Sequence, residues 1–291
     1  MPSLKVVKNK IVGVKKTKQI TKAMNMVASA KLRGAQSRIE RFRPYADKFY
    51  EMLGELAAGA GKDVHPLLEV REEVKNVGIL LVTSDRGLCG SFNANLIKMA
   101  TRLAQAKADE GKTVKIYSVG KKGRDAMRKT GHQMILEYRD AMNNFDFTLA
   151  NEVGMKIIGD FLAGDLDEVH VIYGKFVSLA RQIPTTQTIL PMAASAEGGE
   201  AKPASTEYIY EPDKEGLLAE LLPRFIKVQV YRGMLDTSAS EHAARMTAMD
   251  NATSSCDDMI ASLTLLYNKT RQTVITKELM DIVGGAEALK G

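Results

Sequence analysis

The chain has 291 residues, 45% of them apolar and 26% charged, an ordinary composition for a folded soluble chain that excludes low-complexity disorder. Its two cysteines, Cys89 and Cys256, lie too far apart for a disulfide scaffold, and the basic start MPSLKVVKNK carries no apolar leader, so reduced cytosolic thiols are expected. Charge is split unevenly: residues 1–43 hold twelve Lys or Arg against one acid, Glu40, a balance of +11 in a chain of net charge +6, which leaves −5 for the remainder. A basic arm on a slightly acidic body calls for an acidic partner, whether nucleic acid, anionic lipid or an acidic protein surface.

The first predicted element is a long helix over residues 1–58, interrupted only by glycines and Pro44. Steps of three and four along it pick out Leu4, Val7, Ile11, Val14, Lys18, Thr21, Asn25, Ala28, Leu32, Ala35, Ile39 and Phe42, the a/d seam of a coiled coil. The seam turns polar at Lys18, Thr21 and Asn25, with Ile20, Met24 and Val27 on the flank, so the middle is expected to face a surface different from that met by its ends.

Next come short apolar runs alternating with helical spacing. Strands are predicted at 77–83, 113–119, 133–136, 168–177 and 185–190, and helices at 91–108, 121–129 and 147–162. That alternation indicates an α/β domain over 75–210 with a mostly parallel, doubly wound sheet. Residues 193–206, AASAEGGEAKPAST, read as a flexible loop. No stretch reaches the about 20 apolar residues of a membrane span, since the longest uncharged run, 182–196, is polar and holds Pro184 and Pro191, so no direct membrane insertion is expected.

The last element occupies 211–289. Residues 234–283 contain neither Gly nor Pro, enough for about 75 Å of helix. Its seam reads His242, Met246, Met249, Thr253, Cys256, Ile260, Leu263, Tyr267, Thr270 and Val274. Neither terminal helix is stable alone, because an amphipathic face must be buried. The expected architecture is therefore an antiparallel coiled coil of 1–58 with 211–289, projecting from an inserted α/β foot.

Catalytic signals are weak. Residues 106–113, AKADEGKT, approach a phosphate-binding loop, but Ala106 stands where glycine is required, and the segment leads from helix to strand instead of strand to helix. Residues 84–91, SDRGLCGS, follow a strand and precede a helix, the right place for a ligand loop. Cys89 has only Asp85 as a nearby base and reads as a small buried residue, with Asp85 and Arg86 exposed as a contact surface. His65, His132, His170 and His242 have no metal-ligand spacing, and His242 reads as a packed seam residue. Asp257 and Asp258 read as a solvated face, and Met24, Met26, Met246 and Met249 as core. No cofactor or metal is expected.

The segments ITKAMNMVASAKL (20–32), DRGLCGSFN (85–93), SEHAARMTAMDNAT (240–253) and LLYNKTRQTVITKELMDIVGGAEAL (265–289) resemble, in the right order and over the whole chain, the gamma subunits of F-type ATP synthases. The resemblance implies a non-catalytic rotor shaft inside a hexamer of alternating alpha and beta subunits. Its α/β domain would sit against the epsilon subunit and the c-ring, on the cytoplasmic face of the inner membrane. It also implies that Met24, with Lys22 and Lys31, faces acidic beta-subunit loops, and that Arg271 and Gln272 hydrogen-bond a beta loop higher on the shaft. Arg245 would brace the partner helix or face beta. Val274, Ile275, Leu279, Ile282 and Val283 would form a tip held in an apolar bearing, and Asp85, Arg86, Gly87, Leu88 and Gly90 would line the foot. Without the cysteine-bearing insert of chloroplast members, it is similar to bacterial types. Two other readings compete: a nucleic-acid-binding coiled coil, which the basic arm suggests but which has few aromatics and no groove-binding motif, and a small α/β enzyme using the 84–91 loop.

Overall fold

A computed structural model describes residues 3–58, 65–71, 73–192 and 214–288; the segment 193–206 expected as a loop lies outside them. Helices α1 (Leu4–Ala58), α2 (Phe92–Asp109), α3 (Lys121–Met127), α4 (Phe147–Leu162) and α5 (Lys214–Ala288) alternate with strands β1 (Asn76–Val82), β2 (Thr113–Val119), β3 (Gln133–Tyr138), β4 (Glu168–Phe176) and β5 (Gln182–Leu190). Two units emerge, residues 29–245 and residues 1–28 with 246–291.

In the first unit the strand order is β3-β2-β1-β4-β5, parallel throughout except for β5, which runs antiparallel to β4. The central strand NVGILLV is a near-continuous apolar run because both its faces are covered. On one face Leu80, Val82, Tyr117 and Val171 pack with α4 and with the start of α5 through Leu218, Leu222 and Ile226. On the other, Ile79, Leu81 and Ile116 pack with α2 and with Met127 of α3. Helices on both faces make the sheet doubly wound. The start predicted for β5 at Thr185 is too late: the strand begins at Gln182 and carries Pro184, which an edge strand tolerates because its outward N–H is not needed by a neighbour.

Both long helices run through proline. Pro44 lies inside α1 and Pro223 inside α5. A proline in a helix interior costs about 3 kcal/mol or more, and here buried side chains close by hold each helix in place: Ala46 and Phe49 after Pro44, Leu222 and Ile226 around Pro223. Phe49 stacks on Phe225 with ring centroids 6.3 Å apart, and Phe42 meets Tyr231 edge-on at 5.0 Å, tying α1 to α5 within this unit.

In the second unit, α1 and α5 pair antiparallel: Lys18 is ion-paired with Asp257, the Thr21 and Thr253 hydroxyls meet at 2.8 Å, and Asn25 Nδ2 donates to the Met246 carbonyl at 3.0 Å. Every described position of both predicted seams is buried or half-buried, from Leu4 to Phe42 and from His242 to Val274. The expectation that the polar stretch turns toward a different surface is therefore corrected. Lys18, Thr21 and Asn25 face α5 because α5 offers polar partners at matching heights. Asp257, expected to be merely solvated, is one of them.

One half-buried charge lowers stability. Asp236 of α5 is half-buried, and burial raises its carboxyl pKa to about 6 against the opposing pull of Arg232, Lys175 and Arg43. A carboxyl whose pKa rises on folding contributes stability below its unfolded value of about 4 and loses it as pH climbs through 6. Asp236→Asn is thus expected to stabilise the chain at pH 7.5 by on the order of 2 kcal/mol and to have little effect at pH 4. Urea unfolding at the two pH values measures the difference, and an equal effect at both would refute the assignment.

Candidate functional site

The loop after β1 shows how the sheet ends are tied. Asp85 was expected to be exposed, but it is buried, and its carboxylate accepts backbone N–H bonds from Lys121 (2.9 Å), Asp140 (3.0 Å) and Met142 (2.9 Å). A carboxylate satisfied by three amides from two other loops is a staple, drawn inward by donors that the sequence alone does not locate. Ser84 Oγ donates to the Arg86 carbonyl at 2.7 Å, and Asn93 Oδ1 accepts from Ser84 N–H at 3.1 Å. Cys89 is buried, and burial pushes its thiol up, the opposite of an activated nucleophile. Outward-facing members of the loop are Arg86, Leu88, Gly90 and Ser91; Leu88 is 65% exposed and adopts φ 62°.

Residues 106–113 form the end of α2, a turn and the start of β2, with Glu110 ion-paired to Lys112. His65 caps a short helical turn through Nδ1, His170 bonds Thr188 and faces Glu168, and His242 is driven down to about 4 by burial and by the positive charges of Arg245, Lys31 and Arg38. Among the described residues no cluster of His, Cys, Asp or Glu could hold a metal.

The remaining anticipated contact residues lie along the helices. Lys22 and Lys31 are exposed and Met24 is half-buried. Lys22 helps line an open groove of about 330 Å³ with Lys18, Asn25, Met26, Asp250, Thr253 and Asp257. Met26, expected in a core, is exposed. Arg271 and Gln272 are exposed, and from Ile275 to the last described residue every position faces solvent, Leu279, Met280, Ile282 and Val283 included. Arg245 is the exception: only 8% exposed, it pairs with Glu241 at 2.5 Å and donates through Nη2 to the Gly87 carbonyl at 3.1 Å. The structure thus brings Arg245 to the 84–91 loop. Thr237 and Ser240, both fully buried on α5, were missed, because neither sits on the seam.

Exposed basic and apolar side chains borne on two paired helices, in one chain with a doubly wound sheet, define a long-helix interaction scaffold. The family model described as ATP synthase matches residues 3–289. Relatives include the ATP synthase gamma chain of Nitratidesulfovibrio vulgaris strain Miyazaki F, 71% identical with all of both chains covered, and that of Lawsonia intracellularis, 54% identical with the same coverage. The chain belongs to the ATP synthase family, and these relatives are gamma chains. Among solved structures it is similar to a chain of the central stalk and c-ring of the Tetrahymena thermophila mitochondrial ATP synthase, 26% identical with a TM-score of 0.58 over 80% of this chain and 99% of that one. It shares the fold of a chain in the Euglena gracilis mitochondrial ATP synthase rotor, at 23% identity with a TM-score of 0.62 over 94% of this chain and 98% of that one.

Proposed function

We propose that this chain is the non-catalytic central shaft of an F-type ATP synthase, passing torque between a proton-driven c-ring and an alpha/beta hexamer. Full-length identity of 71% to a gamma chain carries the reading. In it, 1–58 and 211–289 form the shaft and 75–210 the foot, which meets the epsilon subunit and the c-ring at the cytoplasmic face of the inner membrane. No described helix is long and apolar enough to cross a membrane, in keeping with peripheral attachment.

Physical features of the helices support it. An asymmetric shaft favours a different conformation in each beta subunit it faces, and so couples its angle to nucleotide affinity. It must be stiff along its length and weakly bound sideways. The α1–α5 pair supplies the first property. Exposed Lys22, Lys31 and Arg271 supply the second, since solvated ion pairs contribute about 0–1 kcal/mol each and exchange readily. Exposed Ile275, Leu279, Met280, Ile282 and Val283 suit a tip seated in an apolar collar, and exposed Arg86, Leu88 and Gly90 suit a partner-facing loop.

Co-assembly of the full chain with alpha, beta and epsilon subunits tests this, with the chain located at the centre of the particle as the expected result. A stable hexamer that excludes it would count against the reading. Replacing Arg271 and Gln272 together by Ala is expected to lower ATP-driven proton pumping several-fold while leaving the unfolding midpoint unchanged. Parental pumping by that double variant would remove the pair from the contact surface.

A further inference from the structure

Doubly wound sheets take ligands outside the carboxyl ends of their strands, where the strand order reverses. Here β1 has β2 on one side and β4 on the other, so that place is the crevice between the ends of β1 and β4. Its walls are the 84–91 loop following β1 and the part of β4 that outruns β1, whose pairing with β4 ends at Leu81 opposite Ile172.

The chain fills this crevice with itself. On the β4 wall, Thr237 Oγ1 accepts from the Gly174 N–H at 3.2 Å, and Ser240 Oγ donates to the Gly174 carbonyl at 2.9 Å, so two helix hydroxyls take both backbone groups. Gly174 has to be glycine: a Cβ there would lie 2.5 Å from the Phe92 ring and 3.4 Å from Ser240 Cβ. On the β1 wall, Arg245 reaches the Gly87 carbonyl while Glu241 neutralises it one turn back. Thr237, Ser240, Glu241 and Arg245 are all buried. Three of these side chains, Thr237, Ser240 and Arg245, are satisfied by the two walls of the ligand crevice while Glu241 pairs with Arg245, so this stretch of helix does the job of a bound ligand and closes the site to one.

We propose that residues 237–245 of α5 are the built-in occupant of this crevice and key α5 to the sheet, so that helix, sheet and 84–91 loop turn as one body. The proposal rests on the shaft reading. In it Arg245 is a positioning residue for the loop, holding it through Gly87, and the fold of the ligand-binding α/β class becomes a mechanical joint.

Arg245→Lys tests it, because Lys keeps the charge beside Glu241 but lacks the second arm that reaches Gly87. Hydrogen exchange on the full chain is expected to quicken at least 10-fold at residues 86–90, with the amides of Ile79 in β1 and Ile116 in β2 unchanged. In the assembled, membrane-bound complex, protons moved per ATP hydrolysed are expected to fall several-fold. Ser240→Ala, which leaves the ion pair intact, is read the same way at Gly174 and decides the matter if Arg245→Lys loosens the whole sheet. Parental exchange at the loop overturns the joint; faster exchange with a parental proton-to-ATP ratio overturns its mechanical role. Failure of the shaft reading looks different, since the parental chain would then restore no pumping at all.

Discussion

Ile260→Pro or Leu263→Pro is expected to unpair the end of α5 and abolish ATP synthesis by the assembled complex. Proline removes a backbone N–H and drives its ring against the carbonyl four residues back, costing about 3 kcal/mol or more. The native chain tolerates Pro44 and Pro223 only where buried neighbours such as Phe49, Leu222 and Ile226 hold the helix across the disturbance. Beyond Met249 no such anchor is near: Ile260 and Leu263 are half-buried seam residues, and among the described positions of α5 past Met249 only Thr270 is buried. A break there has nothing to restore the register that begins at Asn25 with Met246 and continues through Lys18 with Asp257. Hydrogen exchange should show lost protection past residue 256, with the strands of the sheet unaffected. Full proton-driven synthesis by either variant would sink the shaft reading.

Much of this was legible because periodicity survives where a helix has one neighbour. The two seams read from steps of three and four coincide with the covered positions, polar ones included, since a Thr or Asn opposite a matching polar group is as much a seam residue as a Leu. The strand–helix alternation was readable for the same reason, and β2 and α4 fall at their predicted limits. What escaped depends on partners distant in sequence. Asp85 looked like a surface acid because its three amide donors lie 36 or more residues away. Thr237 and Ser240 went unread, and Arg245 was read without its partner, since their roles answer to Gly174 and Gly87 of the sheet domain. The start of α5 at Lys214 lies close to the expected 211, but the sequence does not show that the apolar side chains ahead of Gly233, such as Leu218, Leu222 and Ile226, belong to the sheet's core.

Gly120→Ala is expected to be the most damaging small substitution in the sheet domain, with a loss above about 3 kcal/mol or a failure to fold. Gly120 ends β2 at φ 104°, a conformation that L side chains rarely adopt, and a Cβ there would sit 2.1 Å from the Thr83 carbonyl oxygen and 2.7 Å from its carbon. Neither backbone can yield easily. Thr83 N–H donates to the Val119 carbonyl at 2.8 Å, Gly120 N–H to that of Tyr138 at 3.0 Å, and Thr83 Oγ1 accepts from Gly123 N–H at 2.8 Å. Gly111→Ala separates strain from collision, since Gly111 has φ 80° but nothing within 4 Å of its would-be Cβ, so a cost of about 1 kcal/mol is expected there. Urea unfolding of the two variants measures the gap, and near-equal losses would show that the close approach to Thr83 carries no weight. The consequence reaches the loop, because Ser84 and Asp85 follow Thr83 directly, and Asp85 accepts the N–H of Lys121, next after Gly120. Displacing Thr83 must therefore pull on the staple that sets the exposed edge formed by Arg86 and Leu88, and that edge should lose exchange protection before the central strand does.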